Sequence, residues 1–218
     1  SGLVSKTLVI ADGHHRYKTA LKYAENHISH DSKHVMVTLV NSKNPGMQIM
    51  PTHRLLKGIE KSIMDIKKEI EQYFHYKEFK GADKLLHKMD MLENQKSIIG
   101  LFHKETNTGL LLEFKSWAIL ESKMSDQSKS LRELDTNILH SFLLKDVFNI
   151  DTNRQEDLKH LSYLRGNKPA LEMLKKEENY DVACFVNPPS LDDVFSIAES
   201  GETMPQKSTY FFPKVYSG

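Results

Sequence analysis

Strand-like and helix-like segments follow one another along this sequence without regular alternation. Short apolar runs bounded by turn residues predict strands, and apolar residues spaced three and four apart predict amphipathic helices. A doubly wound parallel sheet needs the two to alternate cleanly, so this order favours an α+β fold, a mixed sheet with flanking helices. A chain of 218 residues is long enough to bury the core of such a fold.

The predicted elements divide the chain into two regions. We predict strands at residues 7–11, 34–40, 47–50, 73–79, 97–102, 110–114 and 181–186, the fifth and sixth forming a hairpin. We predict helices at residues 17–28, 51–66 (with Thr52 as N-cap), 131–150, 168–176 and 191–200. Because residues 122–130 are polar and rich in Ser and Lys, we expect an α+β domain at 1–121 that carries the turn discussed below. A second, helical or α+β domain at 131–218 is expected to pack on it.

The composition narrows the classes of protein to consider. Lys and Arg total 30 against 29 Asp and Glu, a net charge of +1 that gives no support for a nucleic-acid or membrane surface. No apolar run approaches the ~20 residues that cross a bilayer. The single cysteine, Cys184, excludes an intrachain disulfide, and its apolar neighbours predict a buried structural thiol. With no export signal, we expect a cytoplasmic protein. The Ser1-Gly2 start and the abrupt end after an aromatic stretch predict a fragment of a longer protein.

The strongest chemical signal is the turn of residues 12–16, Asp12-Gly13-His14-His15-Arg16, between a predicted strand and a predicted helix. The first N–H groups of a helix lack partners and the helix dipole is positive there, so this geometry binds anions. Gly13 allows close backbone approach, and Arg16 adds a bidentate cation. We therefore predict that Gly13 and Arg16 bind phosphate. The groups predicted to act in catalysis are Asp12 and the two histidines that titrate near neutrality, His14 and His15.

The turn leaves other interpretations open. A carboxylate beside an anion repels it unless Asp12 holds a metal, a hydroxyl proton or a neighbouring cation. Asp12 could instead serve only as the helix N-cap, with both histidines solvated. Zinc bound by Asp12 with His14, His15 and His53 is a further alternative, although side chains of adjacent histidines point in different directions. Mg²⁺ held mainly by a nucleotide suits so few carboxylates better, so no protein-bound metal site is predicted.

Two further segments carry groups suited to phosphate. His53 and Arg54 lie at the start of the helix predicted after Pro51, where free N–H groups also occur. The polar run Gln206, Lys207, Ser208 and Thr209 could deliver a lysine to a phosphate, although its glycine spacing is not that of a P-loop. We predict these six residues as supporting phosphate ligands; a surface helix cap and a plain loop are the competing interpretations.

These stretches resemble the domain-of-unknown-function family 1015. The likeness covers residues 10–21 around the turn, residues 50–56 and residues 201–214, and it extends to Ile138-Leu139-His140. Members usually carry a substantial region before the turn, which is absent here and also suggests a fragment. The resemblance implies a protein whose biochemical function is uncharacterised.

The turn alone is also similar to the phosphate-binding turn of the ParB/sulfiredoxin fold, in which a Gly and, after a short gap, an Arg precede a helix. In sulfiredoxins a reactive Cys precedes the His-Arg pair, and His14 stands in that place here, so the resemblance implies no sulfiredoxin chemistry. ParB proteins bind DNA and CTP, while kinases of free serine in the same superfamily use a similar turn on a nucleotide phosphate. The neutral net charge argues against the DNA-binding branch.

The resulting hypothesis is a cytoplasmic enzyme that binds a nucleotide or phosphate, with a small-molecule kinase as its specific form. Its expected partner is a small-molecule or nucleotide ligand, and Mg²⁺ would arrive with the nucleotide. Two alternatives stay open. One is a non-catalytic ligand-binding or regulatory module, and the other is a metal-dependent hydrolase.

Overall fold

A computed structural model describes residues 6–214 and confirms the predicted α+β class. The helices are α1 (His14–Asn26), α2 (Ile63–Ile70), α3 (Ala82–Asp90), α4 (Trp117–Lys123), α5 (Lys129–Arg132), α6 (Asp135–Ile138), α7 (Asn167–Lys176) and α8 (Leu191–Glu199). The strands are β1 (Gln48–Met50), β2 (Thr52–Leu56), β3 (Phe74–Lys80), β4 (Ile98–His103), β5 (Thr108–Phe114), β6 (Leu161–Arg165), β7 (Val182–Val186) and β8 (Tyr210–Phe212). A π-helical segment, Leu139–Val147, follows α6, and 3-10 turns lie at Asp31–Lys33 and Asp157–His160.

The central feature is a six-stranded sheet in the order β3-β5-β4-β7-β2-β6. Each neighbouring pair is antiparallel. The predicted hairpin is confirmed as β4 and β5, with Leu101 opposite Leu110. Strand β2 lies between β7 and β6, so both of its edges are paired.

Strand β7 shows how the sheet is buried on both faces. Val182, Cys184 and Val186 join a core cluster with α2 and the π-helical segment. Their neighbours Ala183 and Phe185 join a second cluster with α3 and α7. Because side chains alternate along a strand, an unbroken apolar run is what two buried faces require. Cys184 is fully buried and its burial raises the pKa of the thiol to about 12, which confirms the predicted structural thiol.

The chain divides into two compact units. The smaller comprises Ser1–Gln48 and Phe211–Gly218 and contains α1, whose residues are all at least partly exposed. The larger, Ile49–Tyr210, holds the six-stranded sheet and both core clusters. The boundary predicted at 122–130 falls inside this larger unit, and the division into 1–121 and 131–218 stays a prediction. Among the helices of residues 6–214, none combines the length and apolar character that crossing a membrane demands.

Three predicted elements are wrong, and the helix predicted at 131–150 is interrupted at residues 133–134 and continues as α6 and the π-helical segment. Residues 7–11 and 34–40 form no strand, because an apolar run becomes a strand only where another strand pairs with it. The helix predicted from Pro51 with Thr52 as N-cap is replaced by β2, whose Leu55 and Leu56 enter the two core clusters. Gly58, at φ +72°, follows this strand, and the next helix begins at Ile63 with Ser62 as its N-cap.

The Ser190 cap of α8 offers a local stability test. Ser190 Oγ accepts a hydrogen bond from Asp193 N at 3.1 Å, and the Asp193 carboxylate accepts from Ser190 N in return. Ser190→Ala is expected to lower the free energy of unfolding by about 1 kcal/mol, measured by urea denaturation, because it leaves an orphan helix N–H. Ser116→Ala is the matched control, since Ser116 is the N-cap of α4 but its side chain makes no cap bond. Equal losses in both variants would contradict the assignment.

Candidate functional site

The 12–16 turn forms the N-terminus of α1 in the smaller unit. Gly13 is the N-cap residue in the left-handed conformation, φ +85° and ψ 22°, and no side chain caps the helix. The first intrahelical bond runs from Tyr17 N to Gly13 O at 3.0 Å. The N–H groups of His14, His15 and Arg16 therefore precede the helical ladder and have no intrahelical acceptor. The first turn contains no acidic residue, and the nearest carboxylate is that of Asp12, one residue before the N-cap.

Arg16 folds back over the turn that it follows. A Cβ built on Gly13 would lie 2.9 Å from Arg16 Nη2 and 3.1 Å from Arg16 Nε, closer than side chains approach one another. The positive φ favours glycine at position 13, and a side chain there would displace the exposed Arg16 guanidinium from its place against the turn. The arrangement places a permanent cation at the same helix end as the free N–H groups.

Asp12 is held by a cation that the spacing of the sequence did not reveal. Lys214 Nζ lies 2.7 Å from Asp12 Oδ2, and Gly13 N donates to Asp12 Oδ1 at 2.9 Å. The hydrogen bond from Lys214 is the main cause that lowers the pKa of Asp12, with charge from Lys214 and Arg16 adding to it. Both side chains are about half exposed, so the pair adds little to stability. Lys214 is the neighbouring cation that the sequence left open as a partner of Asp12. Its only signal in the sequence was its place in the 201–214 stretch of the family resemblance.

His14 and His15 lie in solvent at the start of α1, as do Asp12 and Arg16. This exposure is compatible with contact to a ligand, and the predicted catalytic roles stay predictions. Within residues 6–214, no three His, Cys, Asp or Glu side chains are grouped as they would be to hold a metal ion. The zinc alternative therefore has no geometric support in that part of the chain.

His53 is engaged inside the larger unit. Its Nδ1 accepts from Val186 N at 3.4 Å, so Nε2 carries the proton and donates to Asn167 Oδ1 at 3.0 Å. Asn167 in turn donates to Asp90 Oδ1 at 2.6 Å, which links β2 to α7 and α3. Complete burial lowers the pKa of His53 to about 4, and the imidazole is neutral at pH 7. Both ring nitrogens have protein partners, and phosphate binding by His53 stays a prediction.

Arg54 lies on the opposite face of β2 and is completely buried. Its Nη1 donates to Thr52 O, and its Nη2 donates to the carbonyls of Gln206 and Lys207 at 3.2 and 3.3 Å. The structure therefore brings together two segments that were predicted separately, 53–54 and 206–209. Arg54 contacts the second segment through the backbone of that segment.

The segment that Arg54 contacts is a tight turn. Ser208 N donates to Pro205 O at 3.3 Å, and Ser208 Oγ donates to the same carbonyl at 2.6 Å. Lys207 has φ +59°, a left-handed conformation that is uncommon for a residue with a side chain. Ser208 is buried, whereas Gln206 and Lys207 are exposed and Thr209 is half-buried. The phosphate contacts predicted for these residues stay predictions.

Comparison with known proteins gives a family and a set of distant structures. The model of a family described as "Protein of unknown function (DUF1015)" matches residues 2–137. No curated protein matches the chain. Solved structures that resemble it include a free serine kinase mutant with ADP (12% identity, TM-score 0.48) and a free serine kinase with AMP (13%, 0.47). A conserved hypothetical protein from Pyrococcus furiosus is also similar (14%, 0.47). Each match covers 93% of this chain, which spans 66%, 66% and 68% of those structures. A likeness at these TM-scores carries no argument about function.

Proposed function

The chain belongs to the DUF1015 family of proteins of unknown function, and we propose that it binds the phosphate of a nucleotide at the 12–16 turn. One observation carries the proposal: the N-terminus of α1 has no side-chain cap and no acidic first-turn residue, and Arg16 lies over it. An ordinary surface helix fills this position with a Ser, Thr, Asp or Asn side chain. Here three backbone N–H groups and a guanidinium are available to an anion instead.

The chemistry of the turn suits phosphate in particular. A phosphate has three acceptor oxygens, which the N–H groups of His14, His15 and Arg16 can serve together with the Arg16 side chain. Lys214 neutralises Asp12, so the carboxylate does not repel the ligand as a free one would.

The specific form that we propose is a phosphotransferase acting on a small molecule. Asp12 would orient the acceptor hydroxyl or a Mg²⁺ that the nucleotide brings, and His14 or His15 would move the proton. Mg²⁺ dehydrates reluctantly and is usually bound by phosphate oxygens, water and only one or two carboxylates. A single carboxylate from Asp12 is therefore sufficient for a Mg²⁺ that arrives with the nucleotide. Arg54 and the 206–209 segment belong to the larger unit, and their predicted phosphate contacts are no part of the site proposed at the 12–16 turn.

Calorimetric titration of the whole chain with ATP, AMP and inorganic phosphate tests the proposal. We expect saturable 1:1 binding of the nucleotides and competition by inorganic phosphate. The absence of binding by all three at millimolar concentrations would overturn the phosphate site. ADP release from ATP, measured with and without Mg²⁺ against a panel of small hydroxyl compounds, tests the phosphotransferase. Binding without turnover would leave a ligand-binding module in its place.

A further inference from the structure

Arg54 presents a charge that the larger unit does not balance. Its side chain is 0% exposed, and among the ion pairs of residues 6–214 no carboxylate pairs with it. Its neighbours are backbone carbonyls and the ring of Tyr163, 5.5 Å from the guanidinium carbon to the ring centroid. A buried cation without a counter-charge is strongly unfavourable. Burial accordingly lowers the pKa of Arg54 to about 10.

The guanidinium also has a donor without an acceptor. Nη1 and Nη2 are bonded to carbonyls, but Arg54 Nε is buried and has no hydrogen-bond partner in the described structure. A second buried nitrogen in the same condition is Nε2 of His140, whose side chain is 8% exposed. Buried polar groups are nearly always satisfied, so each such atom requires an explanation.

The two orphan nitrogens belong to the same layer of the fold. Alternation along β2 places Arg54 on the face of Leu56, which packs in one cluster with Leu139 and Leu143 of the π-helical segment. His140 lies in that segment, between these two leucines in sequence. Burial and, after it, the positive charge of Arg54 lower the pKa of His140 to about 3.

The hydrogen bond at Nδ1 of His140 determines whether its Nε2 is a donor or an acceptor. Thr152 Oγ1 lies 3.2 Å from His140 Nδ1. When the hydroxyl donates to Nδ1, the proton of the neutral imidazole resides on Nε2. Arg54 Nε–H and His140 Nε2–H are then two buried donors without hydrogen-bond acceptors in the described structure.

We propose that Arg54 and His140 form a binding site for a small monocarboxylate, whose two oxygens accept from Arg54 Nε–H and His140 Nε2–H. One negative charge balances the one buried positive charge. A phosphate dianion would leave an excess negative charge in the interior, and its third oxygen would face no free donor of this pair. The site thus favours a carboxylate over the phosphate that sequence analysis predicts for Arg54.

The turn of residues 205–208 contacts Arg54, and entry of a carboxylate on this side requires the turn to move. The bonds from Nη2 to Gln206 O and Lys207 O are long, at 3.2 and 3.3 Å, and both of these residues are exposed. Displacement of this turn breaks these two long bonds to the guanidinium. The proposal goes beyond the phosphate site of the smaller unit and does not depend on it.

NMR of arginine Nε–H groups in the ¹⁵N-labelled whole chain tests the proposal. Acetate, inorganic phosphate and chloride are titrated separately at pH 7 and constant ionic strength. We expect acetate to shift the Arg54 Nε–H signal saturably and at lower concentration than phosphate, with no saturable shift from chloride. His140→Phe, which keeps the ring volume and removes Nε2, is expected to weaken acetate binding at least about 10-fold. His75→Phe, on an exposed position of β3, is the matched control and is expected to bind acetate as the wild type does.

Each other result overturns the assignment. Phosphate acting at lower concentration than acetate would make the site a phosphate site. The absence of a saturable shift with acetate would show that Arg54 does not bind a carboxylate. Unchanged acetate binding by His140→Phe would show that His140 is not part of the site. The Nε–H signal of Arg54 is assigned in the wild type by through-bond correlation to the backbone of Arg54 itself. The test therefore does not require an Arg54 variant that folds. The Arg16 Nε–H signal, followed in the same spectra, reports the 12–16 turn separately, so either site can fail alone.

Discussion

Arg16→Ala is expected to weaken binding of ATP and inorganic phosphate by about 10- to 100-fold. The variant removes charge-assisted hydrogen bonds and leaves the backbone N–H groups of the turn in place. Arg16 is exposed and α1 contributes no buried residue, so the free energy of unfolding is expected to change little. Calorimetric titration measures the affinity, and thermal unfolding verifies that the variant is folded.

Lys22→Ala is the matched control for this change. Lys22 carries the same charge on the same helix and is exposed, but it lies beyond the first turn. Its removal is expected to leave the affinity within about twofold, since exposed charges at this distance are screened. Equal losses in the two variants would show that the helix attracts phosphate by general charge. An unchanged affinity in Arg16→Ala would contradict the proposed contact.

Acidification from pH 7 to pH 4 is expected to destabilise the larger unit through its buried histidines. The pKa of His53 is lowered to about 4 and that of His140 to about 3, so the unfolded chain binds protons at a pH where the folded chain does not. The stability due to a neutral His53 is fully present above pH 6.5 and is lost as the pH falls through about 4. Each histidine accounts for a loss of about 3 kcal/mol over this window.

Asp135 acts in the opposite direction. Burial raises the pKa of Asp135 to about 7, although its Oδ1 accepts from Ser97 N at 2.6 Å. Its contribution is fully present below pH 3.8 and is lost as the pH rises through about 7, so between pH 7 and pH 4 it offsets about 3 kcal/mol of the histidine effect. The net expected loss is thus about 3 kcal/mol.

Urea denaturation at a series of pH values separates these contributions. His53→Gln keeps a donor for Asn167 and cannot be protonated, so we expect a smaller loss of stability in acid than in the wild type. Asp135→Asn keeps the acceptor for Ser97 N but cannot bind a proton in this range. We expect it to lose more stability in acid than the wild type, because protonation of Asp135 no longer offsets the effect of the histidines. Parallel pH profiles for the wild type and both variants would show that these buried groups do not determine the acid response.

Local signals predicted the elements whose ends are marked by turn or capping residues. A turn at Asn107 predicted the β4–β5 hairpin, an amphipathic repeat predicted α7, and the Ser190 cap predicted the start of α8. The failures at 7–11, 34–40 and 51–66 share a cause, since whether an apolar run pairs as a strand depends on distant partners. β2 is an example, because its pairing with β6 and β7 joins residues more than a hundred positions apart.

The same limit applies to the candidate sites. The 12–16 turn was found because glycine, arginine and a helix start occur together within five residues. The Asp12–Lys214 pair spans 202 positions in the sequence, and Arg54 donates to the carbonyls of residues 206 and 207, which lie 152 and 153 positions away. His140 stood within a resembling segment but carried no local sign of a binding role. Spacing in the sequence identifies functional groups that lie on the same turn. Groups that come together from distant segments are identified only from the fold.

The most direct test of the central claim is a ¹H–¹⁵N NMR titration of the whole chain with AMP. The phosphate of AMP is expected to shift the backbone amide signals of His14, His15 and Arg16 saturably, with the same midpoint as the calorimetric titration. Adenosine, which lacks the phosphate, is expected to shift them far less. AMP binding that leaves these three signals unchanged, or equal shifts from adenosine, would contradict a phosphate site at the start of α1.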